Sequence, residues 1–250
     1  MGAVGPLNYT TRMAALSFTW LGHSTFIITT PGGKRIVTDP WLEGNPACPA
    51  DRKKIDAADL ILLSHGHSDH TADVVRIAQD KKPAAVIGMM ELLGHLGGKG
   101  VENGVGMNKG GSTEAAGIRV TLTHAFHSSS MEADDGAIVY TGEPAGMIIT
   151  LENGFRIYYA GDTTVFGDMA LIGELYSPDV ALLPIGDFYT MGPYEAAKAV
   201  ELLGVKQVIP THFGTFPALV GTPDGLRDEL GKRGLGDVTV LDTEPGGTIE

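Results

Sequence analysis

The sequence predicts an α/β protein, many strands covered by a few helices, and three observations carry that prediction. Apolar or alternating runs of strand length recur from end to end, helical periodicity is confined to a few segments, and a glycine-rich stretch, residues 97–117, divides the chain into halves built alike. Each half holds an apolar strand that breaks into a polar loop and then a helix. These are DLILLSHGHSDHTADVV in the first half and DVALLPIGDFYTMGPYEAAKAV in the second.

Taken in order, the first half offers strands at ALSFTWL, STFIIT, KRIVTD, DLILLS and AAVIGM. Helices are expected over 69–82 (DHTADVVRIAQDKK) and over the shorter MMELLGHL. Residues 97–117 lack periodicity and contain no phosphate-binding GxxxxGK[ST] loop, so they read as a long flexible connection. The second half offers strands at GIRVTLTH, GAIVYT, GMIITLE, FRIYYAG, DVALLPIG, KQVIPT and DVTVLD. Its helices are FGDMALIGELY, PYEAAKAVELLG and TPDGLRDELGKRG, with Pro193 in a first turn and Gly204 as a C-terminal stop.

At 250 residues, 43% hydrophobic and 19% charged, the chain suits one domain with a sizeable core. We place it over 14–250, with 1–13 as an N-terminal extension lacking the pattern of a signal peptide. A formal charge of −12 without a Lys/Arg run argues against a nucleic-acid partner. No apolar stretch reaches the roughly 18 residues of a membrane span. The single cysteine, Cys48, excludes an internal disulfide framework and suits a reducing cytoplasm. It also excludes thiolate metal clusters, so any metal must be held by His, Asp or Glu.

The stretch SHGHSDH supplies such ligands. His65 and His67, two apart on an extended strand exit, point the same way; Asp69 and His70 fall in the first turn of the helix that follows. Three further candidates, His127, Asp162 and His212, each follow an apolar run at a strand-to-loop junction, where α/β sheets place ligands. Imidazole with carboxylate suits zinc, manganese or iron.

From about FTWLGHSTF to the C-terminus the chain resembles the metallo-β-lactamase fold superfamily, whose HxHxDH signature is met by His65, His67, Asp69 and His70. WLGHST, TDPWL, AFHSSS, AGDT, PIGDFYTMGP and PTHFGTFP look closer still to small metal-dependent hydrolases related to the ascorbate-phosphate lactonases. The resemblance implies a four-layered αββα sandwich with two divalent metal ions at one edge, zinc first, manganese or iron otherwise. His65, His67 and His127 would hold one metal; Asp69, His70 and His212 the other; Asp162 would bridge them. Two dications about 3.5–4 Å apart lower the pKa of a shared water toward neutrality, and the hydroxide so formed would cleave a small ester, lactone or phosphodiester. Asp69 would be catalytic, orienting that nucleophile and taking its proton.

Other residues are candidates for the surroundings of the metals or the substrate. Asp39, closing RIVTD, is placed to accept the second ring N–H of a ligand histidine. His23 falls in an expected hairpin turn, and the resemblance implies a place for it near the metals. Asp187, Tyr189 and Thr190 lie in a loop before a helix whose N-terminus suits an anionic group. His124 is expected on the opposite strand face from His127, and His95 at the surface. Two rival functions share the fold: a non-haem iron redox protein and a metal-dependent nuclease. Redox di-iron relatives carry a carboxylate where this chain has Ser68, and the acidic charge disfavours the nuclease. The substrate is expected to be a small molecule. A homo-oligomer is left open.

Overall fold

The computed structural model describes residues 16–133 and 135–250, so the proposed extension over 1–13 lies outside the described residues. The first half supplies β1 (Ser17–Trp20), β2 (Phe26–Thr29), β3 (Arg35–Thr38), β4 (Leu60–Leu62), β5 (Ala85–Met89) and β6 (Gly104–Met107). Its helices are α1 (Ser68–Thr71), α2 (Val74–Lys81) and α3 (Met90–Gly98). The second half supplies β7 (Ser112–Ala115), β8 (Ile118–His124), a hairpin of β9 (Ser130–Glu132) and β10 (Ile138–Tyr140), β11 (Ala145–Thr150), β12 (Arg156–Tyr159), β13 (Val180–Pro184), β14 (Gln207–Thr211) and β15 (Thr239–Val240). Its helices are α4 (Met169–Tyr176), α5 (Pro193–Leu203) and α6 (Pro223–Lys232), and β16 (Thr248–Ile249) ends the chain.

Two seven-stranded sheets result, ordered β16-β1-β2-β3-β4-β5-β6 and β15-β14-β13-β12-β11-β8-β7. Each is antiparallel on one side and parallel on the other: β3 to β6 run parallel, as do β12 to β15. Strand alternation sorts the core into layers. In β11, Met147 and Ile149 face the cluster shared with the first sheet, while Ile148 faces that of α4, α5 and α6. Likewise Tyr159 and Leu182 point between the sheets, and Tyr158, Ala181 and Leu183 point to the helices. With α2 and α3 packed on the first sheet, the expected αββα layering is observed. No described helix is long and apolar enough to cross a membrane.

This topology gathers the site. β8 is antiparallel to β11, which is antiparallel to β12, so β8, β12, β13 and β14 all end at one edge of their sheet. His127, Asp162 and His212 follow β8, β12 and β14; Asp39 and His65 follow β3 and β4 of the other sheet.

Two expectations are corrected. Residues 97–117 are not a structureless connection: they finish α3 and then form β6 and β7, an edge strand of each sheet. Gly106 lies so close to Met90 that a side chain would collide with its Cα. Glycine there serves packing rather than flexibility, which erased the strand signal. The helix expected over 69–82 is broken before Val74. Asp73 accepts N–H groups from Leu42 (2.5 Å) and Glu43 (3.1 Å) while its own N–H goes to the Pro40 carbonyl, so the chain bends there.

Candidate metal centre

β4 delivers Ser64 and a fully buried His65 to the sheet edge. His67 stays extended (φ −61°, ψ 150°) as the residue before α1, and α1 then carries Asp69 and His70. Gly66 between the histidines is required by packing: a Cβ would strike the Thr141 side chain, and its N–H donates to Ser129 Oγ at 3.1 Å.

The seven predicted residues converge. The ligand atoms of His65, His67 and His127 lie within 4.8 Å of one another, and so do those of Asp69, His70 and His212, joined by His23. Asp162 sits between the groups. Its Oδ2 is 3.0 Å from His212 Nε2, 3.3 Å from His70 Nε2 and 3.6 Å from His127 Nε2.

The outer hydrogen bonds fix which nitrogen each ring presents. Asp39, in the left-handed region (φ 38°) at the end of β3, accepts from Ser64 N–H (2.8 Å), Ser64 Oγ–H (2.5 Å), Tyr159 O–H (2.6 Å) and His70 Nδ1–H (2.8 Å). Because the Ser64 hydroxyl gives its proton to Asp39, it accepts from His65 Nδ1–H at 2.9 Å. His67 Nε2 lies 3.3 Å from Ser128 Oγ. His65 Nε2 then presents a lone pair toward His67 Nδ1 at 3.0 Å. His70 Nε2, Asp162 Oδ1 and His212 Nδ1 are buried with no hydrogen-bond partner. A cation beside His70 Nε2 and Asp162 Oδ1 satisfies both, so the residues present fit one.

The electrostatics agree. Burial holds the pKa values of His65, His67 and His127 below the usual imidazole range, which favours the neutral, electron-donating ring. Burial opposes ionisation of Asp162, but the neighbouring His212 and His70 hold its carboxyl well below the usual range. Asp69 is likewise held low, against the effect of burial, by its contact with His23. His70 is raised: burial lowers it, but Asp162 and Asp39 outweigh that.

His23, in the left-handed region (φ 56°), is fully buried, with Nδ1 3.0 Å from Thr215 Oγ1 and Nε2 3.3 Å from Asp69 Oδ2. Its ring packs 3.9 Å from that of His212. Asp187, Tyr189 and Thr190 are not brought into this cluster. Their hydrogen bonds close the 186–193 loop on itself, although Met191 N–H reaches the carbonyl of Thr163, next to Asp162. Glu195 occupies the N–H of Gly192 before α5, which disfavours an anion at that helix end. His124 is exposed, and His95 is half-buried rather than superficial. Sequence reasoning did not single out Ser64, Ser128, Tyr159 or Thr215. Their only signal is adjacency: Ser64 and Ser128 flank ligand histidines, while Tyr159 and Thr215 lie three residues from Asp162 and His212.

A family model described as a beta-lactamase superfamily domain matches residues 34–213. A metal-dependent hydrolase of Herpetosiphon aurantiacus is 51% identical over 238 residues, 94% of this chain and 97% of the relative. One of Methanopyrus kandleri is 44% identical over 235 residues, 94% of this chain and 100% of the relative. Among solved structures, a metallo hydrolase from Ignicoccus hospitalis superposes with a TM-score of 0.81 at 35% identity, covering 94% of this chain and 97% of that one.

Proposed function

The chain belongs to the metallo-β-lactamase-fold family of metal-dependent hydrolases, and from that premise we propose that it hydrolyses a small ester, lactone or phosphodiester at a dinuclear centre. In this reading His65, His67 and His127 would hold one dication and Asp69, His70 and His212 the second, with Asp162 shared between them. Zinc is the first candidate, with manganese or iron also suited to imidazole and carboxylate. When bound, the cations would activate a water near neutral pH and stabilise the oxyanion that develops on the substrate.

The chain's own residues then have defined tasks. Asp39 receives the Nδ1–H of His70 directly and that of His65 through Ser64, so both rings present Nε2 in fixed orientation. Tyr159 O–H donates to the same carboxylate and helps exclude water from it. His23, held on its far side by Thr215, keeps Asp69 ionised and aimed, so Asp69 would orient the attacking water and receive its proton once the cations had acidified it. The observation that carries the reading is the arrangement of the ring nitrogens. The outer ones of His65, His67 and His70 are engaged by Ser64, Ser128 and Asp39, while His65 and His67 group with His127, and the inner one of His70 lies 3.3 Å from Asp162 Oδ2.

The test is an activity panel of lactones, phosphodiesters and aryl esters, run on metal-stripped protein reloaded with zinc, manganese or iron in turn. Turnover of at least one class, dependent on added metal and abolished in His67→Ala, is expected. Oxygen consumption by the iron form without hydrolysis of any class would favour a redox reading and overturn this one.

A further inference from the structure

His127 lines one end of a cleft of about 330 Å³, together with Lys109, His124, Phe126 and Glu143. Lys109 and His124 also line a second cleft of about 340 Å³ that runs on to Leu171, Ile172 and Leu175 of α4. The two clefts adjoin at these shared walls and together reach from a candidate ligand of the centre to an exterior helix. Its character changes along its length. Nearer the centre, Lys109 Nζ is held 2.7 Å from Glu143 Oε2 with its side chain only 13% exposed. Beyond it the walls are mainly apolar, Leu122, Leu171, Ile172 and Leu175, with Asp168 among them.

That apolar end is unusual for a surface. α4 (MALIGELY) buries Met169 and Ile172 against the second sheet. A surface helix normally turns polar residues outward on its other side. Here positions 171 and 175, one turn apart, are leucines exposed to 51% and 67%, and Phe126 nearer the centre is 56% exposed. Scattered exposed apolar side chains need no explanation, but these are contiguous with a groove that begins at His127.

Building on the hydrolase reading, we propose that this groove binds a linear aliphatic tail of the substrate, so that the substrate is amphiphilic. Its hydrolysable head would lie at the centre, and its tail would pass Lys109 and His124 to rest on Leu171 and Leu175.

Two measurements on the zinc-loaded full chain test this. The first is calorimetric binding of decanoate against acetate, which requires no turnover. The second is kcat/KM for p-nitrophenyl esters from acetate to decanoate, in wild type and in a Leu171→Ser/Leu175→Ser variant whose changes fall on exposed positions. Decanoate is expected to bind at least tenfold more tightly than acetate. The wild-type kcat/KM should rise about two- to fourfold per added methylene until the groove is filled. The variant should lose that dependence and keep its turnover of the acetate ester. Equal binding of decanoate and acetate, or a chain-length dependence unchanged in the variant, overturns the proposal. So does a variant that only converts an oligomer to a monomer, since the leucines would then cover a second copy of the chain. Tight decanoate binding without turnover of any ester supports the groove while removing the ester reading of the centre.

Discussion

At the residue scale the centre depends on Asp39 as much as on the ligands it serves. Its carboxylate, with no exposed surface, accepts four hydrogen bonds and sets the tautomers of His65 and His70. Asp39→Asn keeps the shape but turns one acceptor into a donor facing His70 Nδ1–H, Ser64 and Tyr159. Metal affinity measured against a competing chelator should fall about 10- to 100-fold; an unchanged affinity would show that the tautomers are fixed elsewhere. A pH dependence also follows. Burial lowers His23 to about 4, so between pH 4 and 6.5 the unfolded chain holds a proton there that the folded chain does not. Stability of the metal-free protein therefore rises with pH through that window and is lost as pH falls, by roughly 3 kcal/mol from His23 alone. His65, His67 and His127, lowered in the same sense, add to the loss. Asp69 and Asp162 are lowered and lose their contribution only below about pH 4; the raised His70 loses its contribution only above 6.5. Thermal melts of stripped protein at pH 7 and 4.5 check the sign. The candidate ligands were legible because SHGHSDH concentrates four of them and His127, Asp162 and His212 each follow an apolar run. Ser64 and Tyr159 were not, because a serine and a strand tyrosine look alike with or without Asp39 behind them.

At the element scale, close approach between strand ends positions the ligands. Gly161, just before Asp162, has φ 60°, and a Cβ there would collide with that of Ser64. Gly161→Ala should cost about 2 kcal/mol or more in urea unfolding, because strain and collision add. At Gly154 (φ 79°), with nothing within 4 Å of an added Cβ, alanine costs only the backbone strain, about 1 kcal/mol. Equal losses at the two sites would remove close approach as the reason for glycine in AGD. The central strands were readable from composition, since burial on both faces demands continuous apolar runs such as LIL and VALLP. β6, β7, β9 and β16 were not, being short or edge strands in which glycine and polar residues weaken the pattern. The break at Asp73 was hidden for a different reason. Its side chain is recruited by the backbone of Leu42 and Glu43, a contact far away in sequence.

At the scale of the whole molecule, each half builds most of one sheet, with β16 of the second half returning to pair with β1 of the first, and the centre lies where the two sheets meet. The first half brings Asp39, His65, His67, Asp69 and His70; the second brings His127, Asp162 and His212. The likeness of the halves was faintly visible in their matching strand–loop–helix segments. The pairing of their edges was not, since register across a sheet leaves no local mark. A cation held by both halves would clasp them together, so metal at a thousandfold its Kd should stabilise the fold by about 4 kcal/mol. Denaturant midpoints with and without zinc measure this, and identical midpoints would contradict it. The central claim, that these seven side chains hold two cations joined by Asp162, is tested most directly by calorimetric titration of zinc into metal-stripped wild type and Asp162→Ala. Two ions per wild-type chain, with at least one lost or greatly weakened in the variant, is the predicted result. One ion or none in wild type, or the same stoichiometry and affinity in both proteins, would contradict it.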